Sequence, residues 1–378
     1  MTYRSSPHVR GIIGVLVVLG VACLSALVVA QRSQPAPTFH RDPSWPKPLP
    51  NNWVIGMVAS LNVDARDHVW IIHRPNSVRK EALAGGKKMA PPVIEFDQDG
   101  KFVQAWGGPG PGYDWMEENL DDYPRGSPAE HGVFVDHKDN VWVTGNGDEV
   151  LKFTRRGKFL MHIGEHFKTG GSNDTRLLGN PTEVIVDSAT NEILVADGYL
   201  NRRVIVFDAD TGKYKRHWGA FGNRPDDGPV VNYEPDKPLP QQFFIVHGIG
   251  LSRDGLVYVC DRQRNRLQVF RKIGTFVKEV VIEKNTPAGA GATLKGPLSA
   301  GVTKAGVGSV FRVGFSADPQ QQFLYVLGSG KVHILRRSDL EMLGSFPAGG
   351  THGIGGDSKG NLYTSGSTMP EKYTKGPS

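Results

Sequence analysis

Two cysteines in 378 residues, Cys23 and Cys260, leave almost no scope for disulfide chemistry. Cys23 lies in an apolar N-terminal stretch that export would remove, so Cys260 stands alone and no intrachain bridge can staple the mature chain. It falls in the apolar run Leu256 to Cys260, where a buried, inert thiol is expected instead of a nucleophile. The chain also lacks any run of bases interleaved with aromatics. Lysines and arginines alternate with acids, as in Arg202 to Asp210, and the formal charge of +6, about +4 without Arg4 and Arg10, is too small for a phosphate track. Nucleic acid is therefore excluded as a partner. Long helices have little room: 47 glycines and 26 prolines put a turn signal every few residues, which suits many short strands.

What is present begins with a leader. Arg4, His8 and Arg10 precede an apolar stretch from Gly11 to Val29, and Val28-Val29-Ala30 is a small-residue cleavage pattern. The reading is export, with residues 1–30 removed as a signal peptide. The apolar stretch, about 19 residues, also reaches the lower limit for a spanning helix, so retention as an N-terminal membrane anchor is the alternative. Lipidation at Cys23 after Gly20-Val21-Ala22 is disfavoured because the following residues stay apolar. Residues 31–52, rich in proline and polar residues, read as a linker into the domain.

Beyond the linker one phrase recurs six times: an apolar strand, a turn with Asp and Gly or Asn, and a second apolar strand. The copies are Met57 to His73, His131 to Thr144, Pro181 to Asp197, His247 to Asp261, Arg312 to Leu327 and His352 to Ser365. Each reads as a hairpin. A second paired-strand phrase follows the first five, at Val93 to Trp106, Val150 to Ile163, Val204 to Trp218, Leu267 to Val281 and Val332 to Phe346. Two hairpins make a four-stranded blade. The expectation is an all-β, six-bladed β-propeller over residues 53–378, whose last blade borrows outer strands from the segment before Trp53 to hide its edge. The phrases resemble NHL repeats, which implies a propeller but not what it does.

His131, His247 and His352 each open a first phrase and each precede Gly and an apolar residue. They fall on blades two, four and six, about 120° apart around the axis, where innermost strands line a central channel. Three imidazoles there would converge as a metal site with an open position. The odd blades carry Met57, Pro181 and Arg312 at or near this place, so the repeat itself does not demand histidine. His68, His137, His162, His166, His217 and His333 fall in turns or outer strands and read as surface groups, and Arg202, Arg203, Arg264 and Arg266 as solvated or structural. The long connections Gly107 to Glu130 and Ala220 to Val246 read as lids or binding loops over the histidine face.

The combination of Ile72-His73-Arg74, His131-Gly132, Pro181-Thr182-Glu183-Val184, Ala196-Asp197-Gly198-Tyr199-Leu200-Asn201 and His247 followed by Asp261-Arg262 resembles peptidyl-α-hydroxyglycine α-amidating lyase. The likeness is dense over blades one to four and loose over five and six, with Asp-Gly-Tyr-x-Asn-x-Arg its most specific part. It implies zinc on His131, His247 and His352, a catalytic group of Tyr199, Arg74 and Arg262, and cleavage of an α-hydroxyglycine terminus to an amide and glyoxylate. It also implies calcium, held by the backbone carbonyls of Leu61 and Val133 and by an Asp directly after the third zinc histidine. The chain has Gly353 there, which removes the only charged ligand. The family's paired cysteines are missing too, and no copper monooxygenase domain is attached, so hydroxylated substrate would come from a separate monooxygenase. The competing classes are a non-catalytic NHL propeller that binds a protein or glycan, and a propeller hydrolase or lactonase, which would need acidic metal ligands.

Overall fold

The computed structural model describes residues 35–116, 130–231, 233–288 and 308–377. The leader, Cys23 and residues 117–129 of the first long connection lie outside the described residues. Thr38–Ser378 forms one compact unit, and its architecture is a six-bladed propeller. Each of the six four-stranded sheets runs antiparallel from an inner strand outward. The inner strands are Met57–Val63, Glu130–Val135, Pro181–Asp187, Val246–Leu251, Arg312–Phe315 and Gly353–Gly356, and each packs beside the next until the sixth meets the first.

The burial pattern along each blade follows from this stacking. Second strands are covered on both faces by neighbouring blades, so Val69–Arg74, Glu192–Asp197 and Phe323–Gly328 are buried at every residue, while outer strands such as Phe159–Gly164 alternate. Apolar clusters fill the wedges between blades: Trp70, Ile72 and Val93 of the first pack on Val141, Val143 and Phe153 of the second. Cys260 is fully buried among such residues, and burial pushes its thiol well above the usual range, as an inert packing group requires.

The sixth blade closes the ring. Its third strand is the polar tail Glu371–Lys375, and its outermost strand is Phe39–Asp42, paired from Phe39↔Lys375 to Asp42↔Lys372. The segment read as linker therefore ends before Phe39. That strand is anchored by the Phe39 ring, 5.6 Å from Tyr325 and 5.0 Å from Phe346 between ring centroids.

The turn inside the first phrase is held by one repeated device. Asp136 Oδ1 accepts the N–H groups of Lys138 and Asn140, and its Oδ2 accepts the indole N–H of Trp142 at 2.9 Å. Asp64 with Trp70 and Asp357 with Tyr363 repeat the arrangement at the same six-residue spacing. One carboxylate thus shapes a turn and satisfies the buried aromatic two positions into the next strand. Asp136→Ala strands the Trp142 indole N–H and two turn amides, and is expected to cost roughly 2–4 kcal/mol. Urea unfolding measures it; a loss under 1 kcal/mol would mean the turn does not need the carboxylate.

Candidate metal centre

The three histidines converge in the channel. Ring centroids lie 4.9 Å apart for His131 and His247, 4.7 Å for His131 and His352, and 4.8 Å for His247 and His352. All three are buried, and one ligand nitrogen from each lies within 4.8 Å of the others.

A local irregularity puts them there. The inner-strand register slips at His131, between Glu130 and Gly132, and at His247, between Val246 and Gly248. A bulge of this kind re-aims one side chain out of the alternating pattern. The odd blades have the same slip at Ala59 and Thr182, so their residues equivalent to the histidines are these, with Phe311 in the fifth blade, and not Met57, Pro181 and Arg312. The carbonyls of those residues are the second half of the device. His131 Nδ1 donates to Thr182 O at 2.8 Å, His247 Nδ1 to Phe311 O at 3.1 Å, and His352 Nδ1 to Ala59 O at 2.5 Å. A carbonyl can only accept, so each Nδ1 carries the proton and each Nε2 keeps its lone pair; at His131 the 2.8 Å bond to Thr182 O outweighs the longer 3.3 Å approach of Arg312 Nη2, a donor, to the same nitrogen.

The glycine after the histidine belongs to the same contact. A Cβ on Gly132 would sit 2.7 Å from Thr182 O, and one on Gly248 2.5 Å from Phe311 O. These are the carbonyls that orient His131 and His247, so His-Gly is a unit: glycine lets the next blade's backbone come close enough to hold the ring.

The electrostatics keep the rings neutral. Burial, then the charges of His352, Arg312 and Arg74, holds His131 well below the usual imidazole value. Burial and Arg262 do the same to His247, and burial, Arg74 and Arg312 to His352. Neutral imidazoles with a bonded Nδ1–H are the form that binds a metal. His247 Nε2 is buried with no hydrogen-bond partner, an orphaned lone pair that a cation would satisfy. The residues present thus fit a metal ion.

Around the triad, Tyr199 Oη lies 3.1 Å from His131 Nε2 and 3.5 Å from Arg262 Nη1. The turn carrying Tyr199 is fixed by Asp197, whose carboxylate takes Gly179 N–H, Asn201 Nδ2 and Arg203 Nε at 2.7, 2.7 and 2.8 Å. Arg262 also stacks on Phe311, its Cζ 5.0 Å from the ring centroid. Arg74 is held by Glu130 O at 2.9 Å and by Met57 Sδ at 3.2 Å, and is close enough to be the leading charge on His352. The loop read as a second lid, Ala220 to Val246, is braced instead: Asp226 and Asp227 bond Gln242 and Ser172, and Phe243 to Val246 are buried.

Two residues escaped sequence reasoning. Arg312, 1% exposed, extends into the channel beside the rings, donating Nε to His352 O at 3.1 Å and Nη2 to Thr182 O at 3.2 Å. Glu183 pairs with Arg312 Nη1 and accepts Ile249 N–H at 2.8 Å. The visible signal is an arginine opening one inner strand, Arg312–Phe315, and a glutamate at the third position of another, Pro181–Asp187. His333 is buried at 3%, and not a surface group, because its strand Lys331–Arg336 packs between blades. Arg203 and Arg266 are buried in ion pairs with Asp197 and Asp261. The residues do not fit calcium: Gly353 offers no carboxylate, and a Cβ there would lie 3.0 Å from Leu61 N. The carbonyls of Leu61 and Val133 belong to the inner strands, and the Arg312 guanidinium extends into the channel.

No family model matches the chain. Peptidyl-glycine alpha-amidating monooxygenase B of Xenopus laevis is 28% identical over 255 residues, 64% of this chain and 26% of that protein. Peptidyl-alpha-hydroxyglycine alpha-amidating lyase 1 of Drosophila melanogaster is 28% identical over 262 residues, 63% of this chain and 42% of that protein. NHL repeat-containing protein 3 of Mus musculus is 27% identical over 246 residues, 62% of this chain and 57% of that protein. The chain thus has homologues with lyase and with NHL-repeat names, and the match spans about a quarter of the longest of them. A streptogramin B lyase structure superposes with a TM-score of 0.49 at 12% identity over 90% of this chain and 98% of that one.

Two outcomes test the centre. The purified protein should hold about one transition-metal ion per chain, and His131→Ala, His247→Ala or His352→Ala should each lose most of it by elemental analysis; full retention in any two would remove the site. Arg312→Met, which leaves Glu183 uncompensated, should destabilise by about 3–5 kcal/mol. Arg312→Met with Glu183→Gln should recover part of that loss, and added calcium should move the melting temperature of the parent protein little.

Proposed function

We propose that this chain is an exported, zinc-dependent carbon–nitrogen lyase that cleaves an α-hydroxyglycine-type carbinolamide, such as a hydroxylated peptide terminus, into an amide and glyoxylate. The observation that supports it best is the phenol of Tyr199 set between a metal-ligand nitrogen of His131 and the guanidinium of Arg262, at 3.1 and 3.5 Å. The lyase-named relatives support the same reading.

Zinc held by the three Nε2 atoms would supply a Lewis acid for the substrate hydroxyl. The other steps fall to the chain's own residues. Tyr199 Oη acts as the base that takes the hydroxyl proton, the substrate oxygen's electron pair closes to a carbonyl, and the C–N bond breaks. The amide nitrogen leaves with the C–N bonding pair and takes up the proton that Tyr199 accepted, so an amide and an aldehyde acid result. Arg262 grips the substrate carboxylate with its planar fork, and Arg74 adds positive charge on the His352 side. Burial of the rings excludes water, which favours elimination over hydrolysis.

A second reading rests on the relatives named NHL repeat-containing protein 3: a propeller that binds a protein or glycan without turnover. Glyoxylate release from an α-hydroxyglycine peptide separates the two. Tyr199→Phe keeps the ring and should retain fold and metal while turnover falls roughly 100-fold or more. Arg262→Ala should raise KM at least as strongly as it lowers kcat. Parent protein no better than free zinc would end the lyase reading, and full activity in Tyr199→Phe would take the tyrosine out of the mechanism.

A further inference from the structure

Two more buried arginines follow Arg262: Arg264 on the same turn after Leu256–Asp261, and Arg266 at the start of the next strand, Arg266–Arg271. Arg266 is accounted for: its Nε meets Asp261 Oδ2 at 2.9 Å and its Nη2 the Gln242 carbonyl at 2.9 Å. Arg264 is not. It is 1% exposed, and none of its three guanidinium nitrogens has a hydrogen-bond partner among the described residues. Its one specific contact is the Phe244 ring, 5.1 Å from Cζ.

The charges that bear on Arg264 do not neutralise it. Asp261 is the acid involved, and its oxygens already take Arg266 Nε and Phe244 N–H. The other two are cations, Arg266 and Arg202. Burial lowers Arg264 to about 10, which still leaves it protonated near neutral pH. An uncompensated buried charge is strongly unfavourable, and a single cation–π contact offsets only part of that. Five unused N–H donors in a rigid fork, set among further cations, are the complement of an oxyanion, and low dielectric strengthens such a pair.

We propose that Arg264, over the Phe244 ring, is the anchor of a buried oxyanion subsite on the turn that carries Arg262, binding a carboxylate or phosphate group of a small ligand. Its place supports this: Arg264 is two residues from Arg262 on one turn, and Phe244 three residues before His247. The subsite stands independently of the lyase reading, because binding is measured without turnover.

The experiment titrates the full chain with acetate and, separately, with inorganic phosphate, following heat of binding and melting temperature. Saturable binding of one of them is expected, and the tighter of the two identifies the class. Arg264→Met should abolish it, and Arg264→Lys, which keeps charge but not the fork, should weaken it at least tenfold. Without anion, Arg264→Met should melt no lower than the parent, because it removes an unpaired charge. A structural arginine would instead destabilise when replaced. No saturable binding of either anion, binding unchanged in Arg264→Met, or a crystal grown in both salts with only ordered water on the guanidinium would each overturn the proposal.

Discussion

Each histidine of the triad is held by a hydrogen bond to the backbone of the next blade, and the site depends on those three bonds. His131 leans on Thr182 O, His247 on Phe311 O and His352 on Ala59 O. The acceptors are carbonyls, so at His247 and His352 the tautomer is decided without any titratable partner, and the bulges at His131 and His247 re-aim those rings. The same contacts link the second blade to the third, the fourth to the fifth and the sixth to the first. Ligand geometry and ring closure are therefore one constraint, and a metal ion on the three nitrogens would tie the ring together again.

The cost of that constraint is a channel crowded with inward-facing carbonyls and neutral, desolvated rings. Arg312 meets it from the fifth blade by donating to the carbonyls of His352 and Thr182, with Glu183 balancing its charge. Both charges of this internal ion pair belong to the chain itself. The pair also leaves positive charge near the triad, which helps hold the imidazoles deprotonated. Tyr199 lies at His131 Nε2 with Arg262 beside it, each on a turn pinned by an aspartate, Asp197 or Asp261.

Much of this was legible in the sequence, because the repeat carried it. Six hairpin phrases foretold six blades, and three His-Gly openings on alternate copies foretold convergence. What stayed hidden has a physical reason in each case. A bulge breaks two-residue periodicity, so the odd-blade equivalents were assigned to Met57, Pro181 and Arg312 when the backbone places Ala59, Thr182 and Phe311 there. The strand Phe39–Asp42 has four residues and pairs with a tail at the other end of the chain, leaving no local pattern to read. Arg312, Arg264 and His333 look like surface residues by type, and only the stacking of blades reveals that they are buried.

The central claim is that three cross-blade carbonyls set the protonation pattern of the triad before any metal arrives. Nitrogen-resolved NMR of the histidine side chains in metal-free protein tests it most directly. The account predicts that His131, His247 and His352 are all neutral Nδ1–H tautomers at neutral pH, with Nδ1 protons protected from solvent exchange. Nε2–H tautomers, or rapidly exchanging Nδ1 protons, at two or more of them would contradict it.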